Sequence, residues 1–352
     1  MAEYPEVNVF LKKTQLLNKP GVANRIAVVG AFDTEETDPR LFTTVDEAQT
    51  NFGDDTSFNA CAVVPYLFYG ASSLLCVNTT TWSGTGAEKT ADKTLTTAKL
   101  ADALAKIKGE DFDILFVAEN MTDAFLPIVT AFCDECFRIK MPVGYTASLT
   151  GATTAANVAT AALAGEHSYG LNTQQLGVNG SDPLSVLIST AYYTALIASM
   201  NVGNTMTMKV ADGVTSISPE LTFETGSDGK LLLEAGITTF KCQDRGSGRY
   251  VVVNSEQPNG FDLYVNRVRN FVVKQFALHQ FLGDRNNPKS LNQIEQEIDR
   301  VKNICVNTMD LLEDITYKVE KKNATCVDIY IDSLVFAGII TKIDVYVRVE
   351  VE

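Results

Sequence analysis

The stretch FDILFVAENMTDAFLPIVTAFCDECFRIKMPVGYTAS, Phe112–Ser148, decides the fold class. Its first residues, FDILFVAE, form a short apolar run with no alternation, the pattern of a strand buried on both faces. Residues 122–140 then carry apolar positions at helical spacing. Pro127 falls in the first turns of that helix, where a missing N–H costs least. MPVGYTAS reads as a second buried strand. Strand, helix and strand in this order predict a βαβ crossover and a largely parallel sheet.

The same alternation extends in both directions. Upstream, RIAVVGAF (Arg25–Phe32) and SLLCVNT (Ser73–Thr79) read as buried strands. Between them, FTTVDEAQTNFG has a Thr ahead of an acidic first turn and Gly53 as its stop, which predicts a capped helix. FNACAVVPYLFYG and TLTTAKLADALAKIKG predict two more helices. Downstream, TTAANVATAALAG reads as a helix, YGLNTQQLGV as one strand, and DPLSVLISTAYYTALIASM as a helix with its Pro in the first turn. Residues 201–255 change to short strands with Gly, Asp and Ser turns. A long late helix opens at NNPKSLNQIEQEI, where Ser290 and Gln293 have the spacing of a capping box. Ile294, Ile298, Val301, Cys305 and Leu312 then mark one apolar stripe.

The two chain ends have a different texture. YPEVNVFLKKTQLLN places Val7, Val9 and Leu11 on one face of a short strand, cut from the rest by Lys19–Gly21. At the other end, Ile343, Val345, Val347, Val349 and Val351 alternate with mostly charged residues. Pattern alone leaves two uses for that last strand: a place in its own sheet, or an arm that pairs elsewhere.

The chain has 352 residues, with 45% hydrophobic and 20% charged side chains, as in an ordinary folded protein of about two or three domains. No run approaches the roughly 20 apolar residues of a membrane span. The N-terminal residues lack the basic and apolar regions of a signal peptide, so synthesis in the cytoplasm is expected. A net charge of −14 argues against nucleic acid or an anionic membrane as partner. Seven cysteines scattered through apolar segments fit reduced thiols.

No motif nominates a catalytic site or a cofactor. GTGAEKT (Gly84–Thr90) has Glu88 where a phosphate-binding loop needs glycine, and an acid there would repel phosphate. It reads as a polar surface loop. Cys133 and Cys136 form a lone C-x-x-C inside a predicted helix with two acids between them, which favours inert buried thiols. Of the two histidines, His167 and His279, the first adjoins Glu166 and reads as solvated surface.

Five stretches in order give the chain a family likeness. Gly21–Gly53 resembles the opening of contractile tail sheath proteins of phages and phage-tail-like bacteriocins: an arm, a strand, a polar gap, then a helix ending in Phe-Gly. NTMTMKVADGVTSISPELTFE and LLLEAGITTFKC are similar to that family's later strand and turn segments. DLYVNRVRNFVVKQF, with Asp262, Tyr264, Arg267 and Arg269, resembles its Asp–Tyr–Arg-bearing strand and helix. FLGDRNNPKSLNQIEQEI resembles the turn before its long late helix.

The resemblance implies a compact α/β sheath core with mixed sheets and extended N- and C-terminal β-arms. Its divisions would be an arm at residues 1–20, an α/β domain at 21–200, an α+β domain at 201–341 and a terminal strand at 342–352. It implies a non-enzymatic structural subunit without cofactors, stacked as hexameric rings around an inner tail tube. Such a sheath contracts to drive the tube through a cell envelope. Its partners would be copies of itself, the tube, and baseplate and terminator proteins, in a virion or phage-tail-like particle. Neither nucleic acid nor membrane would touch this chain. Val7, Val9, Leu11, Ile343, Val345, Val347, Val349 and Val351 would then pair with neighbouring subunits. Arg300, Lys302, Lys318, Lys321 and Lys322 concentrate positive charge and are the expected tube-facing residues. The competing expectation is an α/β enzyme or small-molecule-binding protein with its site at the strand C-termini.

Overall fold

The computed structural model describes residues 25–139, 141–150, 154–178, 183–243, 248–276, 287–321 and 327–336, which divide into two compact units between Lys274 and Gln275. The first unit begins with β1 (Arg25–Gly30) and the short β2 (Arg40–Phe42), then α1 (Val45–Phe52) and α2 (Asn59–Leu67). Strand β3 (Ser73–Asn78) follows, then a small hairpin of β4 (Thr81–Ser83) and β5 (Thr90–Asp92). That hairpin is the segment containing GTGAEKT. Next come α3 (Thr97–Ile107), β6 (Ile114–Met121), α4 (Leu126–Arg138), β7 (Gly144–Leu149), α5 (Thr154–Ala161) and β8 (Ser168–Asn172).

Six of these strands form one sheet in the order β2-β3-β1-β6-β7-β8, and β4 and β5 pair only with each other among the described residues. All neighbours run parallel except β2, which pairs antiparallel along the edge of β3. The parallel part therefore has the doubly wound order in which the chain first builds to one side of β1 and then to the other. Alternation along the strands sorts the core into two layers. Ile26, Val28, Leu74, Cys76, Ile114 and Phe116 pack on the side of α2, while Ala27, Val29, Leu75, Val77, Leu115 and Val117 pack on the side of α3 and α4. Both faces are covered, which is why the strands read as unbroken apolar runs. Each fully buried Val, Leu or Phe contributes roughly 1.5–3 kcal/mol.

The first helix is capped as its sequence indicates. The Thr44 hydroxyl accepts from Glu47 N at 3.2 Å, and the Glu47 carboxylate accepts from Thr43 N at 3.0 Å. Gly53 closes the helix at φ +88°, a conformation open to glycine.

The remainder of the unit adds β9 (Gln175–Val178), α6 (Val186–Ser199), β10 (Val214–Ser218), α7 (Asp228–Glu234), β11 (Thr239–Cys242), β12 (Tyr250–Asn254) and α8 (Leu263–Gln275). YGLNTQQLGV, expected as one strand, is two. Asn172 Oδ1 accepts from Gln174 N at 3.1 Å and turns the chain. Gln174 is then fixed by long-range bonds to Pro219 O and Phe240 N, so β9 leaves the main sheet and pairs with β10. The expected position of Pro183 in the first turn of α6 is also revised, because Ser185 is the N-cap and accepts from Ile188 N. DLYVNRVRNFVVKQF carries no strand: Asp262 Oδ1 takes Tyr264 N at 3.0 Å and starts α8 directly.

The second unit contains α9 (Pro288–Asn303), one π turn (Ile304–Thr308), and the antiparallel pair β13 (Asp314–Lys321) and β14 (Val327–Val335). The cap of α9 is Asn287, whose side chain accepts from Lys289 N and Ser290 N, three residues before the expected Ser290. Pro288 at the first turn explains the shift, since it has no N–H to satisfy there. Ile294, Ile298, Val301, Cys305 and Leu312 are all buried, as their spacing indicates.

Candidate assembly interface

The second unit carries a paired sheet with apolar side chains open to solvent. Strands β13 and β14 pair over their full lengths, with Val319 opposite Ile329 and Tyr317 opposite Ile331. Tyr317 reaches α9 through a bond from its hydroxyl to Asp299 Oδ1 at 2.7 Å. Packing stops short of closure: Tyr330, Ile331 and Val335 remain 46%, 37% and 36% exposed. Among the described residues this sheet has only two strands. A two-stranded sheet is marginal by itself, and its outer backbone edges are templates for a further strand.

Both candidate arms, Val7, Val9 and Leu11 and the run Ile343, Val345, Val347, Val349 and Val351, lie outside the described residues, as does Lys322. The remaining basic candidates divide into two kinds. Arg300 grips Glu297 with two bonds, at 2.8 and 2.7 Å, and donates to Gln275 O at 2.9 Å. Lys302 is paired with Asp314 at 2.6 Å and bonded to Ile315 O, tying the end of α9 to the start of β13. These two cations serve the unit's own packing. Lys318 and Lys321 lie on β13 and are exposed, Lys318 being paired with Glu320. The structure therefore brings the four described cations to one helix end and one adjoining strand.

His167 departs from the sequence reading. It is 3% exposed rather than solvated, because two helices close around it. Its Nε2 lies 2.9 Å from Asp134 Oδ1 on α4, and its Nδ1 lies 3.1 Å from an Arg269 nitrogen on α8. Since Arg269 can only donate, Nδ1 accepts and the proton sits on Nε2, facing Asp134. Burial, then the charge of Arg269, pushes the imidazole below its ordinary range. Arg269 also pairs with Glu166 at 2.9 Å and lies over the Phe137 ring. The signal in the sequence was an Arg in the distant helix, which proximity along the chain does not show. Cys133 and Cys136 are both buried, and burial is the first cause holding their thiols up, that of Cys136 at about 11. Among the described residues no group of three or more His, Cys, Asp or Glu side chains is placed to hold a metal, and no helix is long and apolar enough to cross a membrane.

Known structures share this fold. A sheath tail protein from Listeria innocua superposes with a TM-score of 0.67 at 10% identity, covering 95% of this chain and 98% of that one. A sheath tail protein from Desulfitobacterium hafniense gives 0.66 at 12% identity, covering 86% and 91%. A chain of the anti-feeding prophage helical sheath in its contracted state gives 0.64 at 12% identity, covering 93% of each. No protein-family model and no curated protein sequence matches the chain. The chain has the α/β fold of tail sheath proteins.

Proposed function

We propose that this protein is a structural subunit of a contractile tail-like sheath, and that it polymerises around an inner tube without catalysing a reaction. The observation that carries this reading is the near-complete overlap with sheath chains, one of them from a contracted helical sheath. That β13 and β14 form a sheet of only two strands among the described residues supports it from physical chemistry. An added strand would contribute ladder hydrogen bonds along one edge and cover the exposed Tyr330, Ile331 and Val335. The alternating residues 343–351 can supply such a strand, whose reach is ~30 Å.

In this reading the subunits form hexameric rings stacked along the tube, and the arms of one copy complete the sheet of the next. They act as hinges while the cores move as rigid bodies. The energy of contraction is stored during assembly. Lys318 and Lys321 are the tube-facing candidates most open to solvent, while Arg300 and Lys302 contribute by fixing the strand that carries them. Baseplate and terminator proteins would close the ends of the particle.

The test is electron microscopy of the chain co-expressed with its tube protein. Regular sheathed tubes are expected from the natural sequence. Val347→Pro removes a ladder donor and is expected to abolish sheaths while thermal unfolding of the soluble chain stays unchanged. Small closed oligomers from the natural sequence, with no tubes, would contradict the proposal.

A further inference from the structure

The doubly wound sheet reverses its winding between β1 and β6, and the C-terminal ends of these two strands open onto a crevice of about 540 Å³. Ala31 follows β1, and Glu119 and Asn120 end β6. Asn59 begins α2, while Leu95 and Phe125 come from the segments leading into α3 and α4. This is where open α/β sheets take their ligands. Nothing about polymerisation through arms calls for it.

The chemistry of the lining is specific. Glu119 is half-buried, and each of its carboxylate oxygens accepts one neutral donor: Asn59 Nδ2 at 3.1 Å and the backbone N of Asn120 at 3.1 Å. No lysine, arginine or histidine among the described residues forms an ion pair with it. The basic side chain lining the same crevice, Lys93, is turned to other partners, the Ser57 hydroxyl at 2.6 Å and the face of the Phe58 ring. Asn59, having donated to Glu119, keeps its amide oxygen as an acceptor. The crevice thus presents the Glu119 carboxylate and an amide oxygen beside the apolar surfaces of Leu95 and Phe125, with the Lys93 ammonium drawn aside to Ser57 and the Phe58 ring. A phosphate placed against Glu119 would meet a like charge. An N–H-rich cation on a short hydrocarbon stem would gain both charge-assisted bonds and apolar cover.

From this arrangement we infer that the switch-point crevice binds an alkyl-guanidinium or alkyl-ammonium group, with Glu119 as its counter-ion. The same chemistry could arrive as a free amine or as a side chain from a second copy of this chain. The site stands whether or not the chain forms a sheath.

The experiment is titration of the soluble chain with agmatine, followed by amide NMR at Glu119 and Asn120, with inorganic phosphate as a parallel ligand. Saturable shifts at those two amides with agmatine, and none with phosphate, are expected. Glu119→Gln keeps the shape and the bond from Asn59, and should weaken agmatine binding about ten- to a hundredfold, the loss of one charge-assisted bond. Because the primary readout is on the natural sequence, the test does not depend on folding of the variant. Agmatine binding retained after the chain is assembled would assign the occupant as a free amine. Binding blocked by assembly would assign it as a neighbour's side chain. Absence of saturable shifts with agmatine, equal binding by Glu119→Gln, or preferential binding of phosphate would each overturn the inference.

Discussion

The main sheet of the first unit and the sheet of the second treat their edges in opposite ways. In the first, the parallel strands are covered on both faces, and the β3 edge is closed by antiparallel β2, whose Leu41 lies opposite Leu75. In the second, eight- and nine-residue strands pair only with each other among the described residues, and Tyr330, Ile331 and Val335 stay partly exposed, as Leu41 does on β2. A complete sheet is a scaffold, whereas an incomplete one is a request for more backbone. On the function proposed above, stability lies in the first unit and association in the second.

The largest effect that could break this contrast comes from the scaffold. Phe116 is fully buried in β6, and Phe116→Ala should cost about 3–5 kcal/mol in chemical denaturation. Ile329→Ala, in the half-buried pair with Val319, should cost about 1 kcal/mol or less in the isolated chain, since little of its surface is yet covered. Comparable losses at the two positions would mean that the second unit is already complete.

A smaller change sharpens the comparison within the second unit. Asn287→Ala removes the side-chain acceptor for two backbone donors at the start of α9 and should cost about 1 kcal/mol. Amide exchange should show the loss in α9, with β1 and β6 unaffected. An equal rise in exchange across the main sheet would show that the units unfold together.

The smallest effect concerns pH. His167 titrates in the folded chain below its ordinary value, so the folded state binds fewer protons than the unfolded state in the interval between the two values. Stability is therefore complete above the unfolded value of about 6.5 and declines as pH falls from there towards the depressed folded value. Denaturation curves across this range should show the decline, and His167→Gln should flatten it. A stability that rises on acidification through this interval would contradict the burial of a neutral imidazole.

How much of this was legible depended on how local each cause is. The buried strands, the Thr44 and Gly53 caps and the α9 stripe follow from neighbours in sequence, and each could be read there. The break at Asn172–Gln174 could not, because Gln174 is held by Pro219 and Phe240. Ser290 looked like a cap because its spacing to Gln293 fits, but Asn287 with Pro288 competes more strongly for the same helix end. His167 was misread for a similar reason, as its partners Asp134 and Arg269 lie on separate helices. The crevice beside Glu119 is the extreme case. Its lining comes from five separate segments, and only the strand order brings them together.

The most direct measurement is amide hydrogen exchange over residues 314–321 and 327–335, made on the isolated chain and on the chain assembled around its tube. Protection of these two strands should be modest in the isolated chain and rise strongly on assembly, while residues 25–30 and 114–121 stay equally protected in both. If β13 and β14 are already protected in the isolated chain and do not change on assembly, no neighbouring strand completes their sheet, and the assembly role assigned to the second unit is wrong.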